Sequence, residues 1–109
     1  MNVVVTGAPV GHLDGASLDG GSLTVAGWAI DPNTSGPIQV NLYVDGVFSS
    51  SVTAGTDRPD VGAAYPQSGP DHGFRSTLTV TPGSHTVCAY GINTGLGSSN
   101  TSLGCATVG

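Results

Sequence analysis

The chain has 109 residues with a formal net charge of −5, and its seven acidic residues are all Asp against two arginines, with no Lys and no Glu. That balance repels a phosphate backbone and excludes nucleic acid as a partner; no apolar run approaches the roughly 18 residues of a membrane span, which argues against membrane insertion. With 18 Gly, 38% apolar and 8% charged residues, the helix-favouring surface residues are missing, so residues 1–109 are expected to form one small β-rich domain with little helix.

In chain order, NVVVTG within residues 1–11 is a β-branched run, either a first edge strand or a linker passed on from a preceding module. The opening MNVVVTGAPVGH lacks the charged start and long apolar centre of a signal peptide, so either an export signal lies outside this sequence or the protein is made without one. HLDGASL is a weak strand. GSLTVAGWAI alternates and ends at DPNTSGP, whose Pro and Gly stop it. PIQVNLYVDG sets Ile38, Val40, Leu42 and Val44 against Gln39, Asn41 and Tyr43, the pattern of a half-buried strand. Asp45-Gly46 suits the positive φ angles of a tight hairpin into VFSSSVTAG. After a long loop come FRSTLTV, HTVCAYGI and SLGCATV. The spacing predicts a single immunoglobulin-like antiparallel β-sandwich of about seven strands, with a barrel as the alternative.

Cys88 and Cys105 form no CxxC pair and sit in two strand-like runs joined by TGLGSSNT, which brings their sulfurs within reach of each other. A disulfide is expected in preference to two free thiols, and with it an oxidising compartment. Trp28 shares its side of the strand with Ala26 and Ile30 and is expected to anchor the core, with an exposed stacking platform for a sugar as the alternative. Cys88, Tyr90 and Ile92 lie on one side of their strand and Val87 and Ala89 on the other, so a central strand is expected.

The succession GWAIDPNTSGPIQVNLYVDG, RPDVGAAYPQSGPDHGF and PGSHTVCAYGINTGLGSSNTSLGC resembles a β-rich module repeated in secreted and cell-surface proteins of actinobacteria, often beside peptidoglycan-active or other hydrolase domains. The resemblance runs from about His12 to Val108 and rests on three blocks agreeing in order and spacing; the Cys88 and Cys105 pair matches the pattern. It implies a secreted or cell-surface, non-catalytic accessory or structural module that spaces or anchors a partner domain. A single copy is either an excised repeat or a separate product, such as a virion surface (capsid or tail decoration) protein of an actinobacterial phage. A cell-wall carbohydrate-binding module is a third reading, and a protein or cell-wall surface is the expected partner.

Most residues able to do chemistry fall in RPDVGAAYPQSGPDHGF, from Arg58 to Phe74. No G-x-S-x-G elbow occurs, and co-occurrence of Ser, His and Asp in one chain indicates nothing by itself. Asp60 and Asp71 are the nearest approach to a glycosidase carboxylate pair, but so small a sandwich offers little cleft, and no enzyme is expected. No cofactor is expected either. All seven Asp residues, Asp14 among them, are expected in loops, most of them in turn dipeptides such as those of LDG, IDP and VDG; Asp57, Asp60 and Asp71 are weak calcium candidates, and zinc through His12, His72 or His85 is weaker still. The loop from about Gly55 to Gly73 is longer than most connections and is expected to pack on itself, with Arg58, Asp60, Tyr65 and His72 as the candidate contact residues if it meets a partner. The two NTS triplets at Asn33 and Asn100 are read as turns.

Overall fold

A computed structural model describes residues 9–31, 34, 36–93 and 100–109. NVVVTG therefore lies outside the described residues, as do Asn33 and most of the TGLGSSNT loop.

The strands are β1 (Val10–Asp19), β2 (Ser22–Ile30), β3 (Ile38–Val44), β4 (Val47–Ala54), the two-residue β5 (Thr56–Asp57), β6 (Asp71–Thr79), β7 (His85–Gly91) and β8 (Thr101–Val108). They form two four-stranded sheets, β1-β2-β6-β5 and β4-β3-β7-β8, with every neighbour antiparallel. The fold is thus an all-β sandwich, and β7 lies inside its sheet as its residues suggest. One short helix, α1 (Pro59–Ala64), interrupts the crossover between β5 and β6.

The core lies between the sheets. Leu23, Val25 and Ala29 of β2, with Phe74 and Leu78 of β6, meet Ile38, Val40 and Leu42 of β3, Val87 and Ala89 of β7, and Leu103 of β8. Two bulges keep the small core continuous. In β1 the register shifts between Leu13 and Gly15, so Leu13 and then Ala16 and Leu18 face inward. In β8 the shift lets Leu103 and then Ala106 and Val108 do the same. Each bulge turns the alternation by one residue, which a regular strand cannot do. Asp45 and Gly46 take φ of 52° and 82°, the turn geometry expected for that dipeptide.

Trp28 differs from expectation. The inward residues of β2 are Leu23, Val25, Gly27 and Ala29, whereas Thr24, Ala26 and Trp28 face outward and are only half-buried. Gly27 takes the place beneath the Phe74 ring, where an added Cβ would sit 2.7 Å from Cζ. The two faces of this strand carry similarly small apolar residues, so alternation alone does not identify the core side. Asp14 also departs from expectation, being the bulge residue of β1 rather than part of a loop.

Candidate functional site

The Arg58–Pro70 crossover closes on itself. The Arg58 amide donates to the Pro70 carbonyl at 2.7 Å, joining the two ends, and the Tyr65 carbonyl accepts from the Ser68 and Gly69 amides. Pro59 opens α1 where its missing N–H removes nothing, and Val61 is buried beneath the turn. Gly62 lets the helix lie on Pro70, since a Cβ there would be 3.0 Å from the proline side chain.

Arg58 is the pin of this arrangement. Its Nε and Nη2 donate to the two carboxylate oxygens of Asp60 at 3.0 and 2.9 Å, while Nη1 donates to Asp14 at 2.7 Å and to the Gly27 carbonyl at 3.3 Å. A planar guanidinium serves such forked partners well. Hydrogen bonding to Asp60, then to Asp14, pushes the Arg58 pKa further above its ordinary value, and the same bond to Arg58 holds Asp60 below the usual carboxylate range. The stem of Arg58 lies over Gly73, where a Cβ would come within 2.6 Å of Cγ. Tyr65 then roofs Trp28, with ring centroids 5.4 Å apart.

The four candidate contact residues therefore separate. Arg58 and Asp60 are engaged with each other, and Tyr65, 39% exposed, shares its ring with Trp28. His72 is 1% exposed, so it is not available to a partner at the surface. It points inward from β6, and its Nε2 donates to the Ser68 carbonyl at 2.8 Å, tying the loop to the sheet from the other side. Among the described residues no three His, Cys or Asp side chains gather as a metal would require. Of the calcium candidates, Asp57 and Asp71 are cross-strand neighbours on β5 and β6, while Asp60 is held by Arg58.

The second sheet presents a different surface. Cys88 and Cys105 are direct neighbours on β7 and β8 and are disulfide-bonded on the outward face, with Cys105 exposed. Beside the bridge, the Tyr43 ring lies 5.4 Å from Tyr90 and 5.7 Å from Phe48, both near-perpendicular. Asn41, Tyr43, Cys88, Tyr90, Ile92 and Asn100 line a depression of about 390 Å³. At the hairpin end, His85 is clamped: Nδ1 donates to the Asp45 carboxylate at 2.6 Å and Nε2 to the Thr81 carbonyl at 2.6 Å. Both partners are acceptors, so only the imidazolium satisfies both. The Asp45 bond, then that to Thr81, raises the His85 pKa; the Thr86 amide, then His85, lowers that of Asp45.

The outward face was partly legible, since Gln39, Asn41 and Tyr43 form the polar side of β3 and Tyr90 shares a side with Cys88. The missing signal was that no layer covers that side among the described residues. The Asp14 partnership with Arg58, 44 residues away, and the His85 clamp with Asp45 had no local signal at all.

No family model matches the chain, and no match is found among the curated proteins or the solved structures.

Proposed function

We propose that the chain is a non-catalytic accessory module of the extracellular space, which spaces or anchors a partner at the cell surface. The observation that carries this reading is the internal engagement of the Arg58–His72 loop. The guanidinium is bonded to two carboxylates and a carbonyl, Tyr65 covers Trp28, and His72 is buried. The groups best suited to catalysis are those that hold the crossover on the sheet. Bonding of the outward-facing Cys88 and Cys105 supports an oxidising location, because an exposed cysteine is open to cytosolic reductants. No helix among the described residues is long and apolar enough to cross a membrane.

An immunoglobulin-like assignment is supported by strand order, since β1-β2-β6-β5 and β4-β3-β7-β8 follow the A-B-E-D and C′-C-F-G sheets. Two features depart from antibody domains: the bridge joins adjacent strands instead of two sheets, and the Trp lies on the second strand and faces outward.

The test is incubation of the purified chain with peptidoglycan, with thiol labelling of the chain recovered from an exporting host. No free thiol and no release of reducing ends or amines above the protein-free control are expected. Release that disappears in Asp60→Asn or His72→Gln would overturn the non-catalytic reading.

A further inference from the structure

We propose that the open outward face of the second sheet, centred on Tyr43 and Tyr90, is a binding site for a neutral oligosaccharide. This assignment rests on the accessory-module reading and supplies the ligand class that the module would hold.

The depression of about 390 Å³ falls within the range of roughly 300–1,000 Å³ typical of small-molecule sites. Its two aromatic rings, Tyr43 and Tyr90, stand edge to face with an interplanar angle of 83°, and Phe48 backs Tyr43 from outside the lining at 78°. Rings at right angles form walls and a floor rather than one flat sheet. A pyranose has the complementary form, because its axial C–H bonds make an apolar face and its hydroxyls project around the rim.

The polar groups are set for such a rim. The Asn41 Oδ1 accepts from the Ser51 hydroxyl, and the Asn100 Oδ1 accepts from the Asn93 amide at 2.8 Å. Each bond fixes an amide, and each leaves Nδ2 with no partner among the described residues. The Tyr43 and Tyr90 hydroxyls are likewise without partners there. Two amide donors and two hydroxyls around an apolar floor match a ligand whose every hydroxyl both donates and accepts.

Charge selects the neutral class. No Asp, Arg or His lines the depression. Both arginines lie on the other side of the sandwich, Arg58 against β1 and Arg75 on β6. The nearby Asp45 is occupied by His85 and by the Thr86 amide. A uronate or phosphorylated glycan would find no cation here and would approach a chain of net charge −5. An extended peptide is a poorer fit, since it would pair with a strand edge, whereas these groups are side chains in the middle of a sheet face.

The experiment is titration of the ¹⁵N-labelled chain with chitotetraose, cellotetraose and mannotetraose, with galacturonate tetramer as the anionic control. Shifts confined to β3, β7 and the Asn100 region are expected with at least one neutral sugar. Tyr90→Ala should weaken that binding about tenfold, the loss expected when one aromatic stacking surface is removed. Tyr90→Phe, which keeps the ring, should lose less, and Tyr65→Ala on the opposite sheet should bind as the parent does. No shift with any neutral sugar at 10-fold molar excess and above, tighter binding of the galacturonate, or self-association through this face would each overturn the proposal. Hydrolysis of a bound sugar would instead overturn the accessory reading while leaving the site in place, so the two failures are distinguishable.

Discussion

Both sheets carry aromatic residues on their outward faces, and the two faces are finished in opposite ways. On the first, Trp28 is roofed by Tyr65, and the roof is pinned by Arg58 to Asp60 and Asp14. On the second, the Tyr43 ring packs edge to face against Phe48 and against Tyr90, and Phe48 is 53% exposed. The contrast separates conspicuous residues from available ones. The charged, aromatic crossover is bonded to itself and to the sheet, while the half-buried Asn41, Tyr43 and Tyr90 of the second face line a depression that no described layer covers. The second face carries two fasteners of its own, the disulfide across β7 and β8 and the Asp45–His85 clamp at the hairpin.

The largest expected effect comes from removing the first of these fasteners. With the cysteines at a sequence separation of 17, Cys88→Ala with Cys105→Ala should lower stability by about 3 kcal/mol through unfolded-chain entropy. Urea unfolding of the double variant, beside the parent with and without reductant, measures it. An unchanged midpoint would mean that the second sheet holds without its bridge.

Next in size is Tyr65→Ala, which tests the roof. Because Tyr65 is 39% exposed, the loss should be about 1–2 kcal/mol, below that of a fully buried aromatic. Trp28 is the sole tryptophan, so its emission should move to longer wavelength as water reaches the indole. A stability loss without that spectral change would place the effect in the loop and not in the cover over Trp28.

These particulars show what the sequence could and could not convey. Strand alternation, the Asp-Gly hairpin and the cysteine pair are local signals, and each led to the observed element. The self-packed loop was also legible, from its Pro and Gly content and its few large residues. Trp28 was misplaced because Ala26 and Ala29 look alike on either side of β2, and the deciding fact is the Phe74 ring above Gly27, contributed from 47 residues further on. His72 reads as a contact candidate of the loop, yet β6 begins one residue earlier and directs it inward. Asp14 reads as a turn residue because a β-bulge has no distinct composition. In each case the information lies in cross-strand register, which a single strand does not encode.

A smaller effect distinguishes the clamp from the bridge. His85 has a raised pKa in the fold, so its contribution is fully present below the ordinary value of 6.5 and is lost as pH rises through the raised one. Asp45 has a lowered pKa, so its contribution is present above 3.8 and is lost as pH falls through the lowered value. The pair supports the hairpin best between those limits. Thermal melting should show a decline on the alkaline side that His85→Gln removes, and an identical slope in that variant would assign the decline to another group.

The smallest expected change in stability is at Phe48, and it bears most directly on the contrast between the faces. Phe48→Thr retains a residue suited to an edge strand and removes a ring that is already more than half exposed. The unfolding midpoint should therefore move by less than about 0.5 kcal/mol equivalent, as for ordinary surface substitutions. The ring does, however, back Tyr43 from outside the depression, at 5.7 Å. If the open face holds a neutral sugar, the same variant should bind it more weakly while melting as the parent does. A marked loss of stability would instead show that the Phe48, Tyr43 and Tyr90 cluster holds the second sheet together, as Tyr65 and Trp28 cover the first.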